Sequence, residues 1–180
     1  MNTVTLSARE ITTNDIPYIV RYWLESDKDF MVSMGVDLAK LPGKEDLENM
    51  LAQQLSQSYP EKKAYSTIWL INGEPSGHCN VNKIIFGEEA SMHLHLWNSP
   101  TRQKGAGAQL VKLSLPYFFN NLQLKKLYCE PYALNPAPNK TLPKAGFTFI
   151  KKYITIPGTL NFEQPVNRWE LTLEDFQRLG

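Results

Sequence analysis

The sequence predicts a mixed α/β (α+β) domain: a twisted, largely antiparallel sheet flanked by helices, in the order β-α-α-β-β-β-α-β-α-β-β. Three observations carry this. The strand-like centre ends in a run, 90–97, that alternates between two faces with the period of two that strands require. An Asn72-Gly73 pair sits between two strand-like runs, a strong signal for a tight hairpin. Apolar residues at helical spacing fall in blocks on either side of this centre, so no regular βαβ repeat is present.

The first strand is expected at 6–11, and Thr13 is placed to cap the helix that follows, with Ile16, Ile19, Val20 and Trp23 on one face. Residues 27–42, with three Asp and the breakers Gly35 and Pro42, read as irregular. A second helix is expected over 44–57, where Leu47, Met50, Leu51 and Leu55 share a face. Strands follow at 65–71 and 77–86. In the third, 90–97, Met92, Leu94 and Leu96 point one way and His93, His95 and Trp97 the other. A long apolar helix is expected at 105–121, kinked or shortened by Pro116, which removes a backbone donor. A short strand at 127–130 precedes Asn135-Pro136, an N-cap followed by proline at the first helical position. Gly146 suits the left-handed residue that ends that helix, and two antiparallel strands at 147–156 and 166–173 close the chain.

The 180 residues carry 19 Lys+Arg against 18 Asp+Glu, a formal net charge of +1. That length suits a single domain, 1–180, with a real hydrophobic core, and no repeat or low-complexity linker divides it. Near-neutral charge removes the electrostatic case for a nucleic-acid partner. No apolar run approaches the ~20 residues of a membrane span, and the first residues lack the pattern of a signal peptide, so a cytoplasmic location is expected. Cys79 and Cys129 have no metal-like spacing and read as buried free thiols.

The chemically distinctive stretch is Arg102-Gln103-Lys104-Gly105-Ala106-Gly107. A Walker-type phosphate loop fails for want of a following Lys-Ser or Lys-Thr, and a dinucleotide fingerprint fails because Leu110 stands where the third glycine belongs. What remains is a strand, a turn with two glycines, and a helix N-terminus. The first amides of a helix have no internal partner and its dipole favours negative charge, so this is an anion site flanked by Arg102 and Lys104. An ordinary strand-to-helix turn explains the hexapeptide equally well on its own.

This segment resembles the acyl-CoA pyrophosphate loop, Q/R-x-x-G-x-G/A, of GCN5-related N-acetyltransferases (GNAT). The stretch from Asn135 through Leu142 and Lys144 to Gly146-Phe147 resembles the family's N-x-A-x-x-x-x-L-x-K-x-G-F segment. The resemblance covers nearly the whole chain and implies a GNAT-like fold with acetyl-CoA as acyl donor and free CoA as product. It implies that the strands at 90–97 and 127–130 splay apart. The pantetheine arm would lie near Leu96, Trp97 and Asn98, and the pyrophosphate on the amides of Gln103, Lys104, Gly105, Ala106, Gly107 and Ala108, beside Arg102. Asn135 and Asn139 would lie near the cofactor arm, Asn135 also capping its helix. The tyrosine that many members use to protonate the departing thiolate is replaced by Leu142, leaving Tyr132 as the nearby phenol. Where many members carry a basic glutamate on the fourth strand, this chain offers His93 and His95.

Acetyl transfer needs a neutral amine. An amine of pKa near 10.4 is neutral in only ~0.04% of molecules at pH 7, an α-amine near pKa 8 in about 10%, so a base helps the first far more. Histidine suits that role, and His93 or His95 is the expected base, directly or through water. A backbone amide near Leu96 or Trp97 is the expected oxyanion donor.

The run from Glu130-Pro131 to Asn135, with Lys144 to Phe147, is also similar to siderophore-type enzymes that acylate N-hydroxylysine, whose E-P-x-x-D-N aspartate is Leu134 here. A generic primary amine, small molecule or protein N-terminus, therefore ranks above a hydroxylamine as acceptor. Asp27, Asp29, Asp37 and Glu163 are candidates to hold a cationic acceptor. A non-catalytic acyl-CoA-binding module and a cofactor-free peptide-binding domain are the competing readings. The chain is expected to be a monomer or a weak homodimer through its last strands.

Overall fold

Asn72 and Gly73 both take positive φ, 53° and 83°, and form the two-residue turn joining β2 (Ala64–Ile71) to β3 (Glu74–Ile85). Such a turn matches the natural twist of the strands it connects. The computed structural model describes residues 4–97 and 105–179. With β1 (Leu6–Glu10), β4 (Glu89–Leu96), β5 (Lys126–Cys129), β6 (Thr148–Thr155) and β7 (Gln164–Thr172), these strands form a seven-stranded sheet. Its order is β1-β2-β3-β4-β5-β7-β6, and every neighbouring pair is antiparallel except β4 and β5.

Helices cover both faces. α1 (Ile16–Glu25) and α3 (Lys44–Ser56) bury Ile16, Ile19, Val20, Leu47 and Leu51 against Ile68 of β2. On the opposite face α4 (Ala106–Asn121) and α5 (Pro136–Lys144) bring Leu110, Leu115, Phe118, Phe119 and Leu142 onto Trp69, Val81, Met92 and Leu127. Each such fully buried side chain contributes about 1.5–3 kcal/mol of transfer free energy. β2 has few exposed positions because both of its faces are covered.

Several expectations are corrected. The cap before α1 is not Thr13: Thr13 lies in a 3-10 turn (Thr13–Asp15) whose N-cap is Thr12, and Asp15 precedes α1. Asp15 accepts from the Thr12 amide at 2.8 Å and takes two bonds from Arg9, at 2.6 and 2.8 Å. Residues 27–42 are not irregular throughout, since Asp27 caps α2 (Lys28–Ser33) and Asp37 caps a 3-10 turn (Leu38–Lys40). Met50 is 59% exposed, and Gln54 takes its place among the buried residues of α3.

Pro116 does not shorten α4, which runs on to Asn121. One lost backbone bond is outweighed by the apolar residues buried along that helix. A sixth helix, α6 (Leu173–Arg178), follows β7, capped by Thr172 and seated by Phe176 stacking on Phe119. Cys79 and Cys129 are free and buried, as expected.

Candidate active site

The alternation of β4 divides its work between the two faces. Ala90, Met92, Leu94 and Leu96 pack toward α4, while His93, His95 and Trp97 face α1. The pairing of β3 with β4 places His78 opposite His95 and Asn80 opposite His93, so these polar residues share one surface.

β4 and β5 pair at only three positions, ending at Ser91 and Tyr128, while β4 continues to Leu96. The strands therefore part beyond Ser91, as the resemblance implied. The amide of Trp97 donates to Ser76 O at 2.9 Å, toward β3. Backbone polar groups alternate in direction along an antiparallel strand, so those of Leu94 and Leu96 face the opening beside β5. Trp97 is thus excluded as the oxyanion donor, and Leu94 joins Leu96 as a strand residue whose amide points into the gap.

Below the opening lies a cavity of about 490 Å³. Its floor is β3 and β4, one wall comes from α1 and α3, another from the segment after β5, and residues 157–161 form its roof. That roof is tied to the Gly35 turn: Asp37 N donates to Leu160 O at 2.8 Å, and Asn161 Nδ2 and Gln164 Nε2 both donate to Gly35 O at 2.8 Å. A Cβ on Gly35 would sit 2.0 Å from Gln164 Oε1, and φ of +88° independently favours glycine there.

His93, His95, Tyr132 and Asn135 all line this one cavity. His93 Nε2 lies 3.0 Å from Asn82 Oδ1, which can only accept, so Nε2 carries the proton and Nδ1 keeps its lone pair. Burial, with the Lys83 ammonium assisting and Glu130 opposing, lowers the His93 pKa to about 4. The ring is neutral at pH 7. His95 Nδ1 lies 3.1 Å from the Tyr22 hydroxyl, and its ring stacks on His78 with centroids 4.5 Å apart. Burial first, then His78 and His93, holds His95 well below the ordinary histidine value.

His78 accepts from Trp97 Nε1 at 2.7 Å and is lowered to about 3, chiefly by burial. Trp97 also stacks on Tyr18. His78, Asn80, Asn82 and Lys83 were missed by sequence reasoning, although His78, Asn80 and Asn82 follow the same period of two that exposed the histidines of β4.

Of the remaining expected residues that the structure describes, Leu96, Trp97, Gly105, Ala106, Gly107, Ala108 and Asn139 do not line the cavity. Gly105, with φ of 93°, is the N-cap of α4 and brings no side chain to its first amides. Ala106 and Ala108 are buried, and a Cβ on Gly107 would meet Thr141 Oγ1 at 3.4 Å, where α4 passes α5. A helix N-terminus without a side-chain cap is of a kind that suits an anion. Asn98, Arg102, Gln103 and Lys104 lie outside the described residues.

Asn135 caps α5, accepting from the Ala137 amide at 3.3 Å. Asn139 spends its amide internally: it donates to Tyr132 O and Asn135 O and accepts from Asn167 and Trp169. It braces the turn that presents Tyr132. Leu142 is fully buried in the core.

Glu130 is held by Arg168 at 2.8 Å and by the Tyr153 hydroxyl. Cys129 lines the cavity too, but burial and then the Glu130 charge push its thiol up, so it stays protonated and is a poor nucleophile. Asp27, Asp29, Asp37 and Glu163, nominated for a cationic acceptor, do not line the cavity. Among the described residues no group of three His, Cys, Asp or Glu is placed to bind a metal, and no helix is long and apolar enough to cross a membrane.

Comparison with known proteins agrees with this geometry. The chain resembles the aminoglycoside acetyltransferase AAC(6')-Ib in complex with coenzyme A and kanamycin, with a TM-score of 0.73 at 19% identity over 97% of this chain and 98% of the other. It also resembles the ribosomal L7/L12 alpha-N-protein acetyltransferase RimL, with a TM-score of 0.75 at 14% identity over 95% and 96%. Spermidine N-acetyltransferase from Vibrio cholerae gives 0.75 at 16% identity over 96% and 98%. No curated protein matches the chain by sequence. The family described as "Acetyltransferase (GNAT) domain" matches residues 5–148, and the chain belongs to that family of acetyl-CoA-dependent N-acetyltransferases.

Proposed function

We propose that the chain acetylates a primary amine held in the 490 Å³ cavity, by direct attack in a ternary complex with His93 as proton acceptor. The observation that carries this reading is the position of His93, which lines the cavity two residues beyond the last β4–β5 pair at Ser91. Bound at that gap, acetyl-CoA supplies the acetyl group: the C–S bond breaks as the N–C bond forms, and the proton lost by nitrogen is balanced by the one gained by sulfur.

A histidine near pKa 4 cannot hold the proton of a free ammonium ion. Its task comes later. Nitrogen becomes acidic as it bonds to the acyl carbon, and the free Nδ1 lone pair of His93 then accepts the proton. His95, held between Tyr22 and His78, orients the floor and supports that geometry. Tyr132 lines the opposite wall and is the phenol available to protonate the thiolate. The protonated Cys129 argues against an acyl-enzyme route.

Thermal unfolding with acetyl-CoA, CoA and NAD tests the donor. At about 100 times the dissociation constant a ligand adds ~2.7 kcal/mol, a rise of roughly 5–11 °C for a domain of this size. A rise with both CoA forms and none with NAD is expected. No shift at millimolar acetyl-CoA contradicts the reading.

A further inference from the structure

The charge on the cavity wall separates this chain from polycation acetylation. Among the described lining residues the ionised side chains are Lys63, Lys83 and Glu130. Glu130 is paired at Oε1 with Arg168 and the Tyr153 hydroxyl, so the one lining carboxylate already has a cation beside it. Neither lysine has a carboxylate partner within ion-pair distance among the described residues. Residues 98–104 contain no Asp or Glu in sequence, so they add no carboxylate to this balance.

Lys83 stands at the rim in a bulge between Asn82 and Ile85, with φ of 48°. Its ammonium donates to Pro157 O at 2.7 Å and has two further donors to offer. It is also close enough to lower the His93 pKa. An anionic group seated on Lys83 therefore lies near the proposed proton acceptor. Beyond the histidines the α1 and α3 wall offers Trp23, Met34, Val36, Leu47 and Leu51, interspersed with the amides of Gln53, Gln54 and Gln57.

We propose that the acceptor is a free α-amino acid with an apolar side chain: its carboxylate on Lys83, its amine at His93, its side chain among the apolar residues. This rests on the acetyltransferase reading above and adds the substrate class.

The test measures thiol release from acetyl-CoA with leucine, methionine and phenylalanine, with their amides, and with spermidine and kanamycin. The expected result is a kcat/KM for the free acids at least tenfold above both the amides and the polycations. Lys83→Met is expected to raise KM for the acids about tenfold, leave the amides within threefold, and so abolish the discrimination. Preference for a polycation, amides equal to or better than acids, or no acid acetylated by a protein that acetyl-CoA still stabilises would each overturn the proposal. Absence of that stabilisation overturns instead the acetyltransferase reading on which it depends. The wild-type panel decides the matter even if the variant does not fold.

Discussion

At the scale of single residues, the environment of His93 sets the pH behaviour of the reaction. Its pKa, lowered to about 4, keeps the ring neutral and able to accept a proton at every pH above that value. The kcat/KM profile is therefore expected to show no protein inflection near 6.5; activity rises with pH through the ionisation of the acceptor amine. Below about pH 4 protonation of His93 adds a second fall, and Lys83→Met, which removes one cause of the lowering, should move that fall to higher pH. An unmoved fall would mean that it does not report His93. Alternation along β4 exposed His93 and His95 in the sequence. The hydrogen bonds that distinguish them were not legible there, because Asn82 and Tyr22 reach them from separate elements. Lys83 was hidden for a different reason: a bulge, not strand periodicity, turns it to the rim.

At the scale of elements, α1 matters because it presents Trp23 to the cavity and Tyr22 to His95. Its start is fixed by Asp15, which is 1% exposed. Burial alone would raise that carboxyl, but the Arg9 fork and the Thr12 amide and hydroxyl outweigh it, and the net direction is down. A lowered folded-state pKa contributes stability above the unfolded value, near 3.9, that is lost as pH falls through the folded value. Asp15→Asn should cost roughly 2 kcal/mol or more, because it breaks the pair and leaves Arg9 without its partner. That corresponds to about 4–8 °C in Tm at neutral pH, and the difference from wild type should shrink in acid. An unchanged Tm at neutral pH would show that Asp15 does not hold the helix.

A second device at this scale is Ser114 on α4. It accepts from Trp69 Nε1 at 2.9 Å and bonds Thr67 Oγ1 at 2.8 Å across the buried interface. Ser114→Ala should destabilise by about 1–3 kcal/mol, since it leaves a buried indole donor unpaired. Unfolding in urea reads this directly, and a midpoint equal to wild type would rule it out. Element order was legible from periodicity and turn residues. The end of α4 was not, because the burial that overrides Pro116 comes from strands far away in sequence. α6 was missed for the same kind of reason, since Phe176 is fixed by Phe119 across the chain.

At the scale of the whole molecule, the catalytic layout follows from one topological fact: the parallel pair β4–β5 stops after three positions in an otherwise antiparallel sheet. In the proposed layout the gap takes the donor, the cavity under the 157–161 roof takes the acceptor, and His93 lines that cavity two residues beyond the last β4–β5 pair. Gly105 was legible as a turn residue, and it takes positive φ at the start of α4. The acceptor side was largely illegible, because its roof joins residues near 35 to residues near 160, contacts without local sequence signals. The acidic residues that composition nominated for the acceptor proved in part to be helix caps, Asp27 and Asp37 among them.

The most direct test of the account is acetyl transfer by His93→Gln, measured alongside its thermal stabilisation by acetyl-CoA. The expected result is a kcat at least tenfold below wild type with the acetyl-CoA shift in Tm preserved. Turnover within twofold of wild type, with the same shift, would contradict the assignment of His93 as proton acceptor.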